Sequence, residues 1–344
     1  MNYLYEYLVF LGQAVTILIV LLIFIGARSS QKSKLGLEQK GRLEVKKINE
    51  LLRSLKKGME ETVLEPSVLK KQIKLEKSLE KKREKRLKGG SAKDDIKDQK
   101  RKRIYTMEFV GDMQASGLKK LAMEITAILT IAEKNDEVVI CVESGGGLVH
   151  SYGLAASQLR RIKEKGLDLT VCVDKVAASG GYLMAVVANR ILAAPFAVVG
   201  SIGVVAQIPN LHRWLKKHDI DVDVLTSGKY KRTLTLLGEN DEEGREKFLS
   251  ELAETHALFK DFVEENRPAL DLEKVSTGET WYGRQAIDLK LVDQLVTSDQ
   301  YLYDACDQFD VYRVKWAEHK RPIERFLSSL TTRVEGFFSS LRSG

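Results

Sequence analysis

Cysteine is scarce in this chain. Three occur in 344 residues, Cys141, Cys172 and Cys306, and no two share a C-x-x-C spacing. Neither a disulfide framework nor a structural zinc site is therefore suggested. Cys141 and Cys172 lie in the apolar, strand-like runs VVICVES and LTVCVDK, where a thiol packs as a small hydrophobe. Nucleotide fingerprints are missing too. There is no G-x-G-x-x-G, and the glycines at 145–147 lack the trailing Gly-Lys-Ser/Thr of a phosphate-binding loop. No metal and no cofactor are implied. Histidine is also sparse, at five residues, which leaves few candidates for a histidine base.

The hydrophobic fraction is 44% and the charged fraction 30%, as in an ordinary folded protein. The net charge of +7 conceals an asymmetry. Residues 1–103 hold 26 basic and 13 acidic side chains, whereas the rest hold 29 and 35. A basic excess with no interleaved aromatics speaks against a nucleic-acid partner and suits anionic lipid head groups. Residues 8–27 read LVFLGQAVTILIVLLIFIGA with no charge, and twenty helical residues rise about 30 Å, the thickness of a hydrocarbon core. Tyr3, Tyr5 and Tyr7 precede the run like an interfacial belt. The run is longer than a signal-peptide core, has no preceding positive charge and is followed by no A-x-A site. It reads as a single-pass, uncleaved anchor within residues 1–30. Arg28, Lys32 and Lys34 follow it, so the positive-inside rule puts the bulk of the chain in the cytoplasm.

Residues 31–103 form a charged neck. Leucines and isoleucines recur at helical spacing, EKSLEKKREKRLK alternates in sign, and Gly89, Gly90 and Ser91 then break the pattern. From residue 104 strand-like and helix-like runs alternate, which predicts parallel pairing and an α/β core. Strands apolar on both faces predict a sheet covered on each side. Residues 311–344 form an amphipathic C-terminal extension.

Chemistry-bearing residues gather at strand ends. VVICVESGGG runs a buried strand into three glycines. Such a turn can cradle a phosphate, form an oxyanion hole, or simply turn. In LTVCVDKVAASGGY a strand gives way to a helix near Ser179, flanked by Ala177, Ala178, Gly180 and Gly181. Ser179 fits two roles, a helix cap or a nucleophile whose oxyanion meets the Gly180 N–H. A nucleophilic serine needs a base. His150, after the glycine turn, is one candidate. Lys229 and Lys231 in VDVLTSGKYKRTLT are others, projecting to one side if the segment is extended. A free lysine is protonated at neutral pH, and burial can neutralise it.

The segments ESGGGLVHSYGLAASQL, CVDKVAASGGY, APFAVVGSIGVVAQIPN, SGKYKRTLTLLGENDEEGREKF and WYGRQAIDLKLVD occur in order. Together they resemble the SppA/SohB family of membrane serine peptidases, closest to SohB. The resemblance spans about residues 104–300 plus the anchor. It implies a crotonase-like fold (the ClpP/crotonase superfamily), a peptidase domain over 104–310, and a Ser/Lys dyad hydrolysing peptides through an acyl-enzyme. It assigns Ser179 as nucleophile, Lys231 as general base, Ser201 as the residue orienting the lysine, and the Gly146 and Gly180 N–H groups as oxyanion donors. It further implies a bacterial inner-membrane location, peptide or protein substrates, the lipid bilayer as a partner, and a homo-oligomeric ring whose sites are shared between copies. Two departures stand out. Gly145 replaces the family's proline in S-P-G-G, and Lys290 replaces a glycine in A-x-x-x-G-L-V-D. The rival readings are a non-catalytic membrane scaffold and an acyl-CoA-processing relative of the same fold.

Overall fold

The computed structural model describes residues 41–68, six positions between 70 and 81, and 101–318. Residues 1–40 with the predicted anchor, residues 82–100 and the extension beyond 318 lie outside the described residues. Among those described, no helix is long and apolar enough to cross a membrane. The chain divides into a compact unit over 43–316 and a second made of residues 1–42 and 317–344.

Ten strands form one sheet among the described residues. In chain order they are β1 (Gly41–Lys47), β2 (Arg103–Gly111), β3 (Glu137–Ser144), β4 (Asp168–Val173), β5 (Val176–Ala178), β6 (Arg190–Ala193), β7 (Val198–Gly200), β8 (Thr280–Tyr282), β9 (Gln294–Leu295) and β10 (Asp310–Glu318). The main path runs β1-β10-β2-β3-β4-β6-β9. The β10/β2, β2/β3, β3/β4, β4/β6 and β6/β9 pairs are parallel. After Val173 the chain shifts sideways, so the upper end of β3 pairs β5 (Ser144 with Ala177) rather than β4. β5 in turn pairs β7 in parallel, and β8 closes this branch antiparallel. The ends of β3, β5 and β7 are thereby brought side by side.

Alternation sorts the strand residues onto two faces. Met107, Phe109, Val138, Ile140, Val142, Leu169 and Val171 enter the larger core, beneath helices α2 (Leu118–Ile131), α3 (Val149–Glu164) and α4 (Gly180–Ala185). The intervening Ile104, Val139 and Cys172 face a smaller cluster with Leu302 and Ala305 of α9 (Ser298–Gln308). Cys172 is buried and Cys141 packs beside it, so both thiols serve as small apolar groups. Helix α1 (Ile48–Val63) belongs to the same unit. Asn49 donates to the carbonyls of Cys306 and Phe309 at 2.9 Å and accepts from the Val311 N–H at 2.8 Å.

A buried carboxyl couples this core to pH. Glu124 of α2 is 5% exposed and accepts from the Trp316 N–H of β10 at 2.7 Å. Burial pushes its carboxyl up to about 7, against the pull of that N–H and of Lys315. A folded-state value above the unfolded one stabilises the protein at acid pH, and this contribution is lost as the pH rises through 7. Glu124→Gln keeps the acceptor and removes the charge. It is expected to raise stability by about 2–3 kcal/mol more at pH 8 than at pH 5. Thermal melts of both proteins across that range check this, and an equal shift at both ends would refute it.

Candidate active site

Ser179 follows the last residue of β5 and Ser201 follows the last residue of β7, and those two residues, Ala178 and Gly200, are register partners. Both serines have φ of 51°. That left-handed region costs a non-glycine residue of order 1–3 kcal/mol, and persists only where the surroundings enforce it. Here the Ser179 N–H donates to the Gly200 carbonyl at 2.8 Å and the Ser201 N–H to the Glu279 carbonyl at 2.6 Å. Gly200 must itself lack a side chain, because a Cβ there would meet the Trp281 ring at 2.6 Å.

This geometry does not match the capping role open to Ser179 in the sequence. A capping serine adopts an extended backbone and accepts from an N–H in the first turn. Ser179 has φ 51° and ψ −118°, and its side chain makes no capping bond. It stands half-buried at the start of α4 with its hydroxyl uncommitted by the helix. The N–H of Gly180, first in α4, is among those a helix leaves without an internal acceptor.

The glycine turn after β3 closes against this point. Gly146 has φ of +92°, and a Cβ on it would lie 2.7 Å from the Gly180 nitrogen and 2.8 Å from the Ser179 Cβ. No other residue permits that approach. The structure thus brings together Gly146, Ser179 and Gly180, with Ser201 one register step away. An apolar cavity of about 160 Å³ opens beside Ser179, walled by Tyr152 and Gly153 of α3, Leu183, Val204, and Phe259 and Phe262 of α6 (Glu242–Asn266).

The lysines behave differently. Residues 222–235 form no strand, which corrects the expectation of an extended segment with Lys229 and Lys231 on one side. The alternation V-D-V-L-T finds no neighbouring strand, and the chain turns at Gly228, whose φ is +106° and whose carbonyl accepts the Lys231 N–H at 3.1 Å. Lys229 pairs with Glu243 at 2.5 Å. The hydrogen bond to Glu243, reinforced by Tyr230, raises its ammonium to about 12, so it is no base at neutral pH. Lys231 is exposed and, among the described residues, has no hydrogen bond to Ser179 of its own chain. His150 is exposed as well. Lys290, in the family's glycine position, has φ of +61°, the conformation glycine would adopt without strain.

Two buried residues went unassigned in the sequence, Ser144 and Tyr152. Ser144 Oγ lies 2.5 Å from Tyr152 Oη and accepts from the Gly146 N–H at 3.1 Å. Ser144 ends the same strand as the glycine turn and Tyr152 lies in the helix that follows it. That shared strand–turn–helix unit was the available signal.

Comparison with known proteins identifies the family. The family model described as "Peptidase family S49 N-terminal" matches residues 2–159, and "Peptidase family S49" matches residues 161–311. "Probable protease SohB" of Haemophilus influenzae is 48% identical over 328 residues, 93% of this chain and 91% of that protein. "Probable protease SohB" of Buchnera aphidicola subsp. Schizaphis graminum is 39% identical over 339 residues, 97% and 96% of the two chains. With the two models meeting between residues 159 and 161, inside the helix that walls the Ser179 cavity, and full-length relatives on the same branch, this chain belongs to peptidase family S49, the SppA/SohB peptidases.

Proposed function

We propose that this chain is a membrane-anchored endopeptidase in which Ser179 is the nucleophile and Lys231, supplied by a neighbouring copy, is the general base. One observation carries the reading. Ser179 is held in a strained conformation where three strand ends meet, with the Gly146 turn, the Gly180 N–H and an apolar cavity against it. The neutral lysine amine takes the Ser179 proton while Oγ bonds to the scissile carbonyl carbon. The Gly146 and Gly180 N–H groups carry the oxyanion, and the resulting ammonium protonates the leaving amine. Water repeats the sequence on the acyl-enzyme and frees Ser179. Ser201 fits the role of hydrogen-bonding the lysine amine, since it stands beside Ser179 in register.

The shared site is favoured by the arm that bears Lys231. It leaves Val205 85%, Trp214 58% and Leu225 92% exposed in a single copy, an apolar surface of the kind that marks interaction sites. An amine desolvated at such an interface is held neutral. Residues 8–27 are the proposed anchor, placing the enzyme in the bacterial inner membrane with peptide or protein substrates.

The cavity predicts a preference for a large apolar residue on the acyl side of the scissile bond. Gly153 lines it, and a Cβ there would meet nothing within 4 Å. Gly153→Leu is therefore expected to lower kcat/KM for peptides with Leu or Phe at that position about 10–100-fold, and to leave Ala peptides within about threefold. Turnover of a peptide series by the full-length protein measures this. Equal losses across the series would remove the cavity from the substrate path.

A further inference from the structure

The direction of every hydrogen bond beneath the glycine turn can be deduced. Tyr152 Oη lies 2.8 Å from the Asp112 carbonyl, which can only accept. A phenol has one proton, so that proton belongs to Asp112. Ser144 Oγ, 2.5 Å from the same phenol oxygen, must then donate to it. The Ser144 lone pairs are left for the Gly146 N–H at 3.1 Å. Burial pushes the Tyr152 phenol above its ordinary range, more than the Ser144 hydrogen bond lowers it, so the phenol keeps its proton. The anchoring loop is itself tied down, since the Asp112 carboxylate accepts the N–H groups of Gln114 and Ser116 at 3.1 and 2.9 Å.

The packing is equally specific. A Cβ on Gly111, the register partner of Ser144, would overlap both hydroxyls. A Cβ on Gly180 would overlap the Tyr152 ring. Tyr152 is fully buried and Ser144 is 2% exposed. One tyrosine thus underlies both N–H groups, its ring beneath Gly180 and its hydroxyl reaching Gly146 through Ser144. Among the described residues nothing packs on the turn at Gly145, where a Cβ would meet no atom within 4 Å. A serine hydroxyl accepting from the N–H two residues on is a weak turn former by itself.

We infer that Tyr152, acting through the Ser144 hydroxyl, is a positioning residue that fixes the Gly146 amide for the oxyanion. It does for a glycine-only turn what a rigid residue at position 145 would otherwise do. The hydrogen bond to a neutral hydroxyl sets the amide plane. The N–H then shares its proton with the stronger, charged acceptor once the oxyanion forms. This rests on Ser179 being the nucleophile, and the test separates the two claims.

The test uses the full-length protein with a peptide substrate and a peptide aldehyde whose hemiacetal oxygen mimics the oxyanion. Tyr152→Phe keeps the ring and removes the relay. It is expected to lower kcat about 10–100-fold with KM within twofold, and to weaken aldehyde inhibition by the same factor as kcat/KM. Ser144→Ala, which keeps the bond from Tyr152 to Asp112, should act alike. Gly145→Pro, which stiffens the turn through the backbone, should restore most of the lost rate in the Tyr152→Phe protein and change the wild type little. Wild-type kcat in Tyr152→Phe, a loss confined to KM, an aldehyde affinity that does not follow the rate, or failure of Gly145→Pro to restore it would each overturn the inference. If Ser179→Ala retains full turnover, the nucleophile reading fails instead.

Discussion

Alanine in place of Ser179 is expected to lower peptide hydrolysis by at least about a thousandfold, and to do so without unfolding the protein. The magnitude follows from the acyl-enzyme route. Without the hydroxyl no covalent intermediate forms, and only the oxyanion donors and substrate binding remain to act on a water. The clean background follows from the local structure. Alanine suffers the same strain at φ 51° as serine, and the bond from residue 179 N–H to the Gly200 carbonyl is a backbone bond that survives the change. The Ser179 side chain makes no capping bond that alanine would lose. The melting temperature should therefore shift by no more than a few degrees, while turnover and covalent labelling by a fluorophosphonate both vanish. A Ser179→Ala protein that is still labelled, or still turns over peptide at the wild-type rate, would remove Ser179 from the mechanism. Loss of activity with collapse of the melting transition would instead make Ser179 a structural residue.

Much of this site could be read in the sequence because it is made of local signals. Buried runs such as VVICV and LTVCV gave the strands, apolar on both faces as a sheet covered on each side requires. Three glycines after β3 and the small residues around Ser179 marked points of close approach, and the clashes a Cβ would cause at Gly146 and Gly180 are the physical basis of those signals. Other features depend on tertiary register and leave no local trace. The role of Ser144 requires that Gly111 sit opposite it across β2 and β3, and that Tyr152 return beneath it from α3. The strain at Ser179 and Ser201 is imposed by Gly200 and Glu279, distant or unremarkable in sequence. The segment 222–235 misled for the opposite reason. It has the alternation of a strand but no strand to pair with, so the turn at Gly228 prevails. Lys290 shows how a residue can sit against its own preference, held at φ +61° where its carbonyl accepts from Arg267 at 2.6 Å.

Mixing two inactive proteins should restore activity if the site is shared between copies. Ser179→Ala retains Lys231, and Lys231→Ala retains Ser179, so neither can assemble a complete dyad alone. In a ring formed at random from equal amounts of both, a site is complete when its serine comes from the Lys231→Ala copy and its lysine from the neighbouring Ser179→Ala copy. That combination arises in about a quarter of sites under head-to-tail closure. The expected result is turnover near a quarter of wild type after co-expression, from two proteins that separately show at most about a thousandth. A site in trans accords with the placement of Lys231. Lys231 lies on an exposed arm, turned at Gly228 and unsupported by strand pairing, and has no bond to Ser179 within its own chain among the described residues. Lys229, two residues earlier, is already committed to Glu243 and cannot substitute. A Lys229→Ala protein should accordingly keep most of its activity, which makes it the control for loss of charge on the arm. Recovery in the mixture with none in a Ser179→Ala/Lys231→Ala double variant mixed with inactive copies of either kind would fix the partition of the dyad between neighbours. Mixtures as inactive as their components, with the oligomer intact, would place both residues in one copy and require the arm to fold back onto its own Ser179.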